Sequence, residues 1–359
     1  MKLEIFKAGK IFNPIKGTKN KPVLQHKKIK VTVPARLNTM CFDLKTLTKP
    51  KKKFIYNAGE LAFSVNVNTY AKLIITKNDN GSVLLSKNTK RKSIVKHAAL
   101  MMKNALKIND LFLIEANNVY DYPHAGLGSS SSLISAVCIA INEAYGKPLS
   151  PRQLTLFIAQ NHGEEIESDD ERLIHVQCNG GSPSVALYYG GMQIIAGESN
   201  MIFREEFPEE YTFVFGIPKM YKKCDAQCLM AIEKTQFPKM LKSSKDFSKE
   251  IAWKVLHELI PSIMNKDMKS IGDILQYYRF NTGSLVIDSR TWKGLYSLVK
   301  SLMKYRNDAT PIISVSSCGP AIYILTKNPK MIEKILKDKK MITFTAKPNN
   351  KGYSILYNF

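Results

Sequence analysis

The sequence predicts an α+β protein of two domains. Three observations carry this: 359 residues exceed one ordinary domain. A Gly/Ser loop at 126–132 lies between a β-prone run and an apolar helix. In the second half, β-prone runs at 211–217, 312–315, 321–326, 341–346 and 352–357 are separated by long helical stretches, so the strands of one sheet must gather from distant parts of the chain. With 44% hydrophobic and 23% charged residues the chain can fill sizeable cores, which excludes a disordered polycation.

Residues 1–28 are Lys-rich and turn-rich and read as a basic extension, part strand and part loose. Residues 29–44 are strand-like and run into a Pro/Lys loop at 49–53. The β-prone runs 61–67 and 71–76 predict a hairpin or sheet pair. Ile94, Ala98, Leu100, Met101, Ala105 and Leu106 recur at helical spacing and predict a helix over 91–107, followed by a strand at 111–116. The Gly/Ser loop then opens an apolar helix. A further helix over 148–159 starts at Ser150 with Pro151 in its first position, as capping physics favours. A second Gly-rich turn ends at Gly181-Ser-Pro-Ser184 and leads into a strand before 197. A shift in composition near 200–210 places a boundary between a domain at 29–205 and one at 206–359. The second domain reads strand, helices around 224–234, 247–260, 266–279 and 290–304, two strands, a helix over 329–337 and two final strands. No repeat of 20–50 residues is visible.

Lys and Arg number 53 against 30 Asp and Glu, a net charge of +23. Only eight of the basic residues are Arg, the side chain suited to bidentate reading of phosphates and bases, so the excess reads as a solvated Lys-rich surface and nucleic acid is not expected as a partner. Apolar runs such as 133–141 fall short of the ~20 residues that cross a bilayer. The first residues lack the order of a signal peptide, and six dispersed cysteines fit reduced thiols, so a cytoplasmic chain is expected. Cys224 and Cys228 could clip a metal, but no second Cys/His pair follows, and they read as two thiols on one helix.

The stretch with the most chemistry is Gly126-Leu-Gly-Ser-Ser-Ser-Ser132. Two glycines let backbone approach a ligand, and four hydroxyls occupy the first turn of a helix, whose free N–H groups and positive dipole end suit an anion. The loop is neither the Walker loop, which needs Gly-Lys-Ser/Thr, nor the dinucleotide Gly-x-Gly-x-x-Gly.

Pro123-x-x-Gly126-Leu127-Gly128-Ser129-Ser130-Ser131-Ser132 resembles the second motif of the galactokinase, homoserine kinase, mevalonate kinase and phosphomevalonate kinase (GHMP) superfamily. Val33-Pro-Ala-Arg-Leu-Asn38 is similar to its N-terminal Pro-x-Arg-x-Asn strand, and Ser316-Ser-Cys-Gly-Pro-Ala321 to its C-terminal glycine-rich motif. The resemblance spans residues 30 to about 357. It implies a ribosomal-protein-S5-like first domain, a ferredoxin-like second domain, and a cleft for ATP, Mg²⁺ and a small anionic substrate; a homodimer is compatible with it. Three details look most like the archaeal branch named after β-ribofuranosylaminobenzene 5′-phosphate synthase: Pro34-Ala-Arg-Leu with Phe42-Asp-Leu44, Gly180-Gly-Ser-Pro-Ser184 with Gly190-Gly191, and 316–323. Synthases of that branch carry Gly-Leu-Gly-Ser-Gly-Thr-Gln at the loop, whereas this chain keeps the kinase-like serines. Conversely, many of the kinases resemble Gly-Thr-Pro-Ser-Gly-x-Asp with a basic Asp, and Gly181-Ser-Pro-Ser-Val-Ala-Leu187 ends without a carboxylate.

The resemblance implies Ser129 and Arg36 as catalytic residues, 126–132 with Pro123 as the nucleotide cradle, and Arg36, Asn38, Asp43, Gly181, Ser182, Ser184, Ser317 and Gly319 around the substrate. Arg36 and Asn38 share one face of their strand and could hold an anionic group or merely tie the strand down. In the acidic run at 164–171, Glu164 or Glu165 would join Ser129 or Ser130 in holding Mg²⁺; a solvated helix face is the other reading. His162 and His175 read as surface or packed residues. The expected function is an ATP-dependent kinase of an anionic metabolite, with a phosphorylated mevalonate among the favoured acceptors. The alternative is a synthase using phosphoribosyl pyrophosphate and an aminobenzoate in methanopterin synthesis.

Overall fold

In a computed structural model, residues 4–15, 20–43, 58–77, 81–120, 122, 124–166, 169–176, 178, 180–219 and 226–359 are described. In chain order the first part contains β1 (Ile5–Lys7), β2 (Lys28–Cys41), β3 (Glu60–Thr76), β4 (Val83–Leu85), α1 (Lys92–Leu106), β5 (Leu111–Asn118), α2 (Ser129–Ala144), α3 (Pro151–Gln160), β6 (Gly163–Ile166), β7 (Asp169–His175), α4 (Gly181–Leu187), β8 (Met192–Ala196) and β9 (Asn200–Glu205). The second contains β10 (Thr212–Pro218), α5 (Ala226–Lys254), α6 (Ile260–Met264), α7 (Met268–Phe280), α8 (Ser284–Thr291), α9 (Leu295–Leu302), β11 (Ile312–Val315), β12 (Ile322–Thr326), α10 (Pro329–Asp338), β13 (Met341–Ala346) and β14 (Ser354–Tyr357).

The main sheet of the first domain runs β14-β2-β3-β5-β4, with β8 on the far half of β3 and β9 beyond it. β3 is one 17-residue strand where the sequence suggests a hairpin; its two halves serve two neighbours, β5 along 69–76 and β8 along 60–63. β2 alternates buried and half-exposed residues at its start and is buried on both faces from Val33 to Met40. One face packs α1 and α2, through Ile29, Val31, Leu73 and Ile114 against Ile94, Met101, Leu133 and Val137. α2 is buried from Ser130 to its end, as its all-round apolar sequence requires. α3 begins with the expected Ser150 cap, a capping box completed by Gln153.

β10, β11, β12 and β13 form an antiparallel sheet of order β11-β12-β10-β13. Numbered within their own domain, that is 2-3-1-4 with helices between the first and second and the third and fourth strands, the ferredoxin-like arrangement. Two expected helices, 224–234 and 247–260, merge into α5, which continues through a π-helical turn at Val255–Leu259 into α6, while the expected 290–304 contains α9 and α8 falls almost wholly before it. The two domains share one apolar cluster: Leu37, Met40, Phe63 and Val65 of the first sheet meet Phe213, Phe215 and Tyr323 of the second.

The basic extension, read in sequence as part strand, contributes β1, which pairs with β7 and buries Phe6. Two segments differ from the sequence reading. The acidic run is a hairpin of β6 and β7, not a helix, because Gly163–Ile166 pairs with Asp169–His175. β14, assigned by sequence to the second domain, pairs with β2 at the edge of the first sheet. Among the described residues no helix is long and apolar enough to cross a membrane. Cys224, Pro123 and residue 179 lie outside the described residues.

Candidate active site

The Gly/Ser loop is shaped by two glycines that no other residue replaces cheaply. Gly126 has φ +92°, and a Cβ there would collide with the Ser316 carbonyl; Gly128, at φ +64°, is the N-cap of α2. The loop is pinned to the C-terminal glycine-rich turn: Ser316 Oγ donates to Gly126 O, and Ala321 N–H donates to Ala125 O at 3.2 Å. That turn is joined in its turn to β2, where Ser317 N–H donates to Asn38 O at 2.7 Å. The three motifs singled out in sequence therefore meet. The first intrahelical bond of α2 is Ser132 N–H to Gly128 O at 2.9 Å, so the N–H groups before it have no partner within the helix and, with the dipole, present positive charge. Asn118 of β5 steadies this end by donating to Ser129 O at 3.1 Å.

Carboxylates face the first turn. Ser130 Oγ donates to Glu164 Oε2 at 2.6 Å, bringing together the predicted hydroxyl and acid from two different elements. His162 Nε2 lies 2.9 Å from Glu164 Oε1. Burial works to raise the Glu164 carboxyl, but the His162 hydrogen bond and the nearby His162, His124 and Arg91 charges outweigh it and hold it at about 2. His162 is thus a packed partner of the acid. His175 stacks on Phe12, and its Nε2 lies 3.2 Å from Gln160 O.

Arg91, which the sequence did not single out, ties the cluster. Its Nε donates to Glu165 Oε1 at 2.7 Å, Nη1 to Ser129 Oγ at 3.0 Å and Nη2 to Ser130 Oγ at 2.6 Å, with Glu164 Oε2 3.6 Å from Nη2. It caps α1 in a left-handed conformation, φ +52°. Its one readable signal was the rarity of Arg in a Lys-rich chain.

Behind the loop, Arg36 Nη2 makes a buried ion pair with Glu60 Oε2 at 3.1 Å. Burial pushes the Glu60 carboxyl up, opposed by Arg36 and by the Gly181 N–H. Gly181 opens α4, and any Cβ there would collide with the Glu60 carboxylate. Arg36 is therefore turned toward Glu60. Ser182 Oγ is buried beside Gly128, 3.1 Å from where a Cβ would stand. Ser184 is a core residue, donating to Gln193 Oε1 at 2.6 Å. Gly319 packs on Val315 and Leu295. Leu127 and Ser132 are buried, and Ser131 Oγ lies 3.9 Å from Cys178 Sγ.

Asn38 and Ser317 line a cavity between the domains, about 660 Å³ including its open side, with Cys41, Tyr278, Cys318 and Ser243. Asp43 accepts from Ser244 at 3.0 Å. Arg279, 4% exposed, holds the floor: Nη1 donates to Asp288 Oδ2 at 3.0 Å and to Ser317 O at 3.3 Å, and Nη2 to Thr39 O at 3.2 Å. Burial keeps the Cys41 thiol protonated, lifted to about 11, and lifts the Tyr278 phenol as well.

A serine-lined helix N-terminus, an acid pair facing it and an interdomain cavity thus sit together on this two-domain scaffold. Residues 93–170 match the family model of the GHMP kinases N terminal domain, and the chain has the GHMP kinase fold. It is 23% identical over 205 residues to the beta-ribofuranosylphenol 5'-phosphate synthase of Methanothermobacter thermautotrophicus; the match covers 56% of this chain and 60% of that one. The homoserine kinase of Cytophaga hutchinsonii superposes with TM-score 0.59 at 17% identity, covering 92% of this chain and 98% of that one. The mevalonate diphosphate decarboxylase of Enterococcus faecalis, in a structure describing its ATP binding, superposes with TM-score 0.60 at 14% identity, covering 93% and 100%.

Proposed function

We propose that this chain is an ATP-dependent kinase that phosphorylates a hydroxyl of a small anionic metabolite, with a phosphorylated mevalonate as the favoured acceptor. The observation that carries this reading is the Ser130–Glu164 pair at the uncapped first turn of α2. The free N–H groups there would take phosphate oxygens. The donor set fits Mg²⁺, which is bound through one or two carboxylates and hydroxyls together with substrate phosphates. Ser130 and Glu164, with Glu165 beside them, would hold it, and it would supply neutralising charge at the phosphates.

The chain's own residues would do the rest. The loop would fix the phosphates against the glycine-rich turn at 316–321. The acceptor would enter the cavity at Asn38 and Ser317. α4 carries no carboxylate at 185–187 to serve as a base. Phosphoryl transfer through a loose transition state proceeds by positioning and charge stabilisation, so the reading does not require one. ADP release with a panel of mevalonate phosphates and other hydroxylated acids tests it; no ATP turnover with any of them overturns it.

The synthase relative favours a second reading, in which a phosphoribosyl pyrophosphate donor sits in the same cradle and is joined to an aminobenzoate or phenol-type acceptor. Pyrophosphate release from phosphoribosyl pyrophosphate, without ADP formation from ATP, would support that reading.

A further inference from the structure

The oxygens that would hold a divalent cation already surround a cation that the chain supplies. Arg91 Nη2 lies 2.6 Å from Ser130 Oγ and 3.6 Å from Glu164 Oε2, while Nη1 and Nε engage Ser129 and Glu165. A magnesium ion bound ~2.1 Å from Ser130 Oγ would lie within about 5 Å of Nη2, with two positive charges and one sharing a single hydroxyl. The guanidinium and a bare divalent ion therefore compete. Arg91 stands at the start of α1 with a left-handed backbone, unusual for a side chain of this kind, and its fork is held by Ser129, Ser130 and Glu165.

We propose that Arg91 is a built-in competitor for the divalent cation. It keeps a bare metal ion off Ser130 and Glu164, and yields those oxygens only to a metal that arrives with a polyphosphate. The phosphate oxygens then replace the Ser129 and Ser130 hydroxyls as acceptors for Nη1 and Nη2, a match of planar fork to anion that Arg makes and Lys does not. Metal and nucleotide are thereby coupled: each binds well only with the other. The nucleotide half of the proposal rests on the kinase reading, whereas the metal half stands on the geometry of Arg91.

The test is Mn²⁺ binding, followed by the electron paramagnetic resonance of the free ion, to the wild-type chain and to Arg91→Gln. Without nucleotide, Arg91→Gln should bind one Mn²⁺ at least about tenfold tighter than wild type, and the gain should vanish in Arg91→Gln/Glu164→Gln. Added ADP should tighten Mn²⁺ binding more than about tenfold in wild type and less than about threefold in Arg91→Gln. Equal Mn²⁺ affinity of wild type and Arg91→Gln without nucleotide overturns the proposal. Should ADP bind neither protein with or without metal, the nucleotide reading falls while the Mn²⁺ comparison still decides the role of Arg91. If circular dichroism shows Arg91→Gln unfolded, Arg91→Lys, whose single ammonium cannot reach all four partners, takes its place: a gain of at least about threefold supports competition, and no gain overturns it.

Discussion

Arg36 and Glu60 form a buried ion pair across β2 and β3, 3.1 Å apart, with Gly181 packed against the carboxylate. Removing one partner strands the other charge in the core. Glu60→Ala should therefore cost about 3–5 kcal/mol of unfolding free energy, whereas Arg36→Met/Glu60→Leu together should recover much of it. Urea denaturation of the three chains checks this; a single substitution as mild as the double would contradict it.

Ser130→Ala and Glu164→Gln remove the two predicted oxygen donors without opening the core. Each should lower kcat by about a hundredfold, the scale seen when one charge-stabilising donor is lost; Ser130→Ala should shift the melting temperature little, whereas Glu164→Gln, which removes the charge facing Arg91 and His162, should lower it. Steady-state kinetics beside thermal melts separate the two effects.

Gly126→Ala places a Cβ against the Ser316 carbonyl at a backbone angle that alanine resists. The expected loss is about 1–3 kcal/mol of stability, with a raised KM for ATP because the loop can no longer dock on the 316–321 turn. Nucleotide titration by calorimetry measures the second effect directly.

Stability should fall on mild acidification through His97. Its Nδ1 accepts from Gly9 N–H at 3.0 Å and its Nε2 meets Asn161 O at 2.7 Å, so protonation would set two donors face to face in a fully buried site. Burial, opposed by the Asn161 bond and aided by His162 and His175, drops it from 6.5 to about 4. The unfolded chain thus binds the extra proton first, and unfolding free energy declines by roughly 3 kcal/mol as pH falls from 6.5 through 4. His97→Gln should flatten that slope in denaturation curves taken from pH 7.5 to 4.5.

Much of this fold was legible because local signals coincided with tertiary need. The Ser150–Pro151 start of α3 is set by neighbours in sequence, and the short apolar run of β11, Ile312–Val315, reads as the fully buried strand it is. Glu164 stands out in sequence through its acidic run, which pairs as a hairpin because register with β7 outweighs the helical tendency of Glu. β3 reads in sequence as two β-prone runs on either side of Thr69-Tyr70, yet it is one strand whose neighbour changes from β8 at 60–63 to β5 at 69–76. The roles of Arg91 and Glu60 are not legible locally, since their partners lie 38 or more and 24 positions away, and most partners of Arg279, Thr39 and Val315 among them, are likewise brought to it only by folding.

β14 completes the edge of the first sheet beside β2, although the whole second domain lies between them in the chain. On the ribosome, β2 emerges early and waits for its neighbour until some 300 residues have been made. The first domain therefore cannot finish before the second exists, and the two mature as one cooperative body whose slowest pairing is the most distant one.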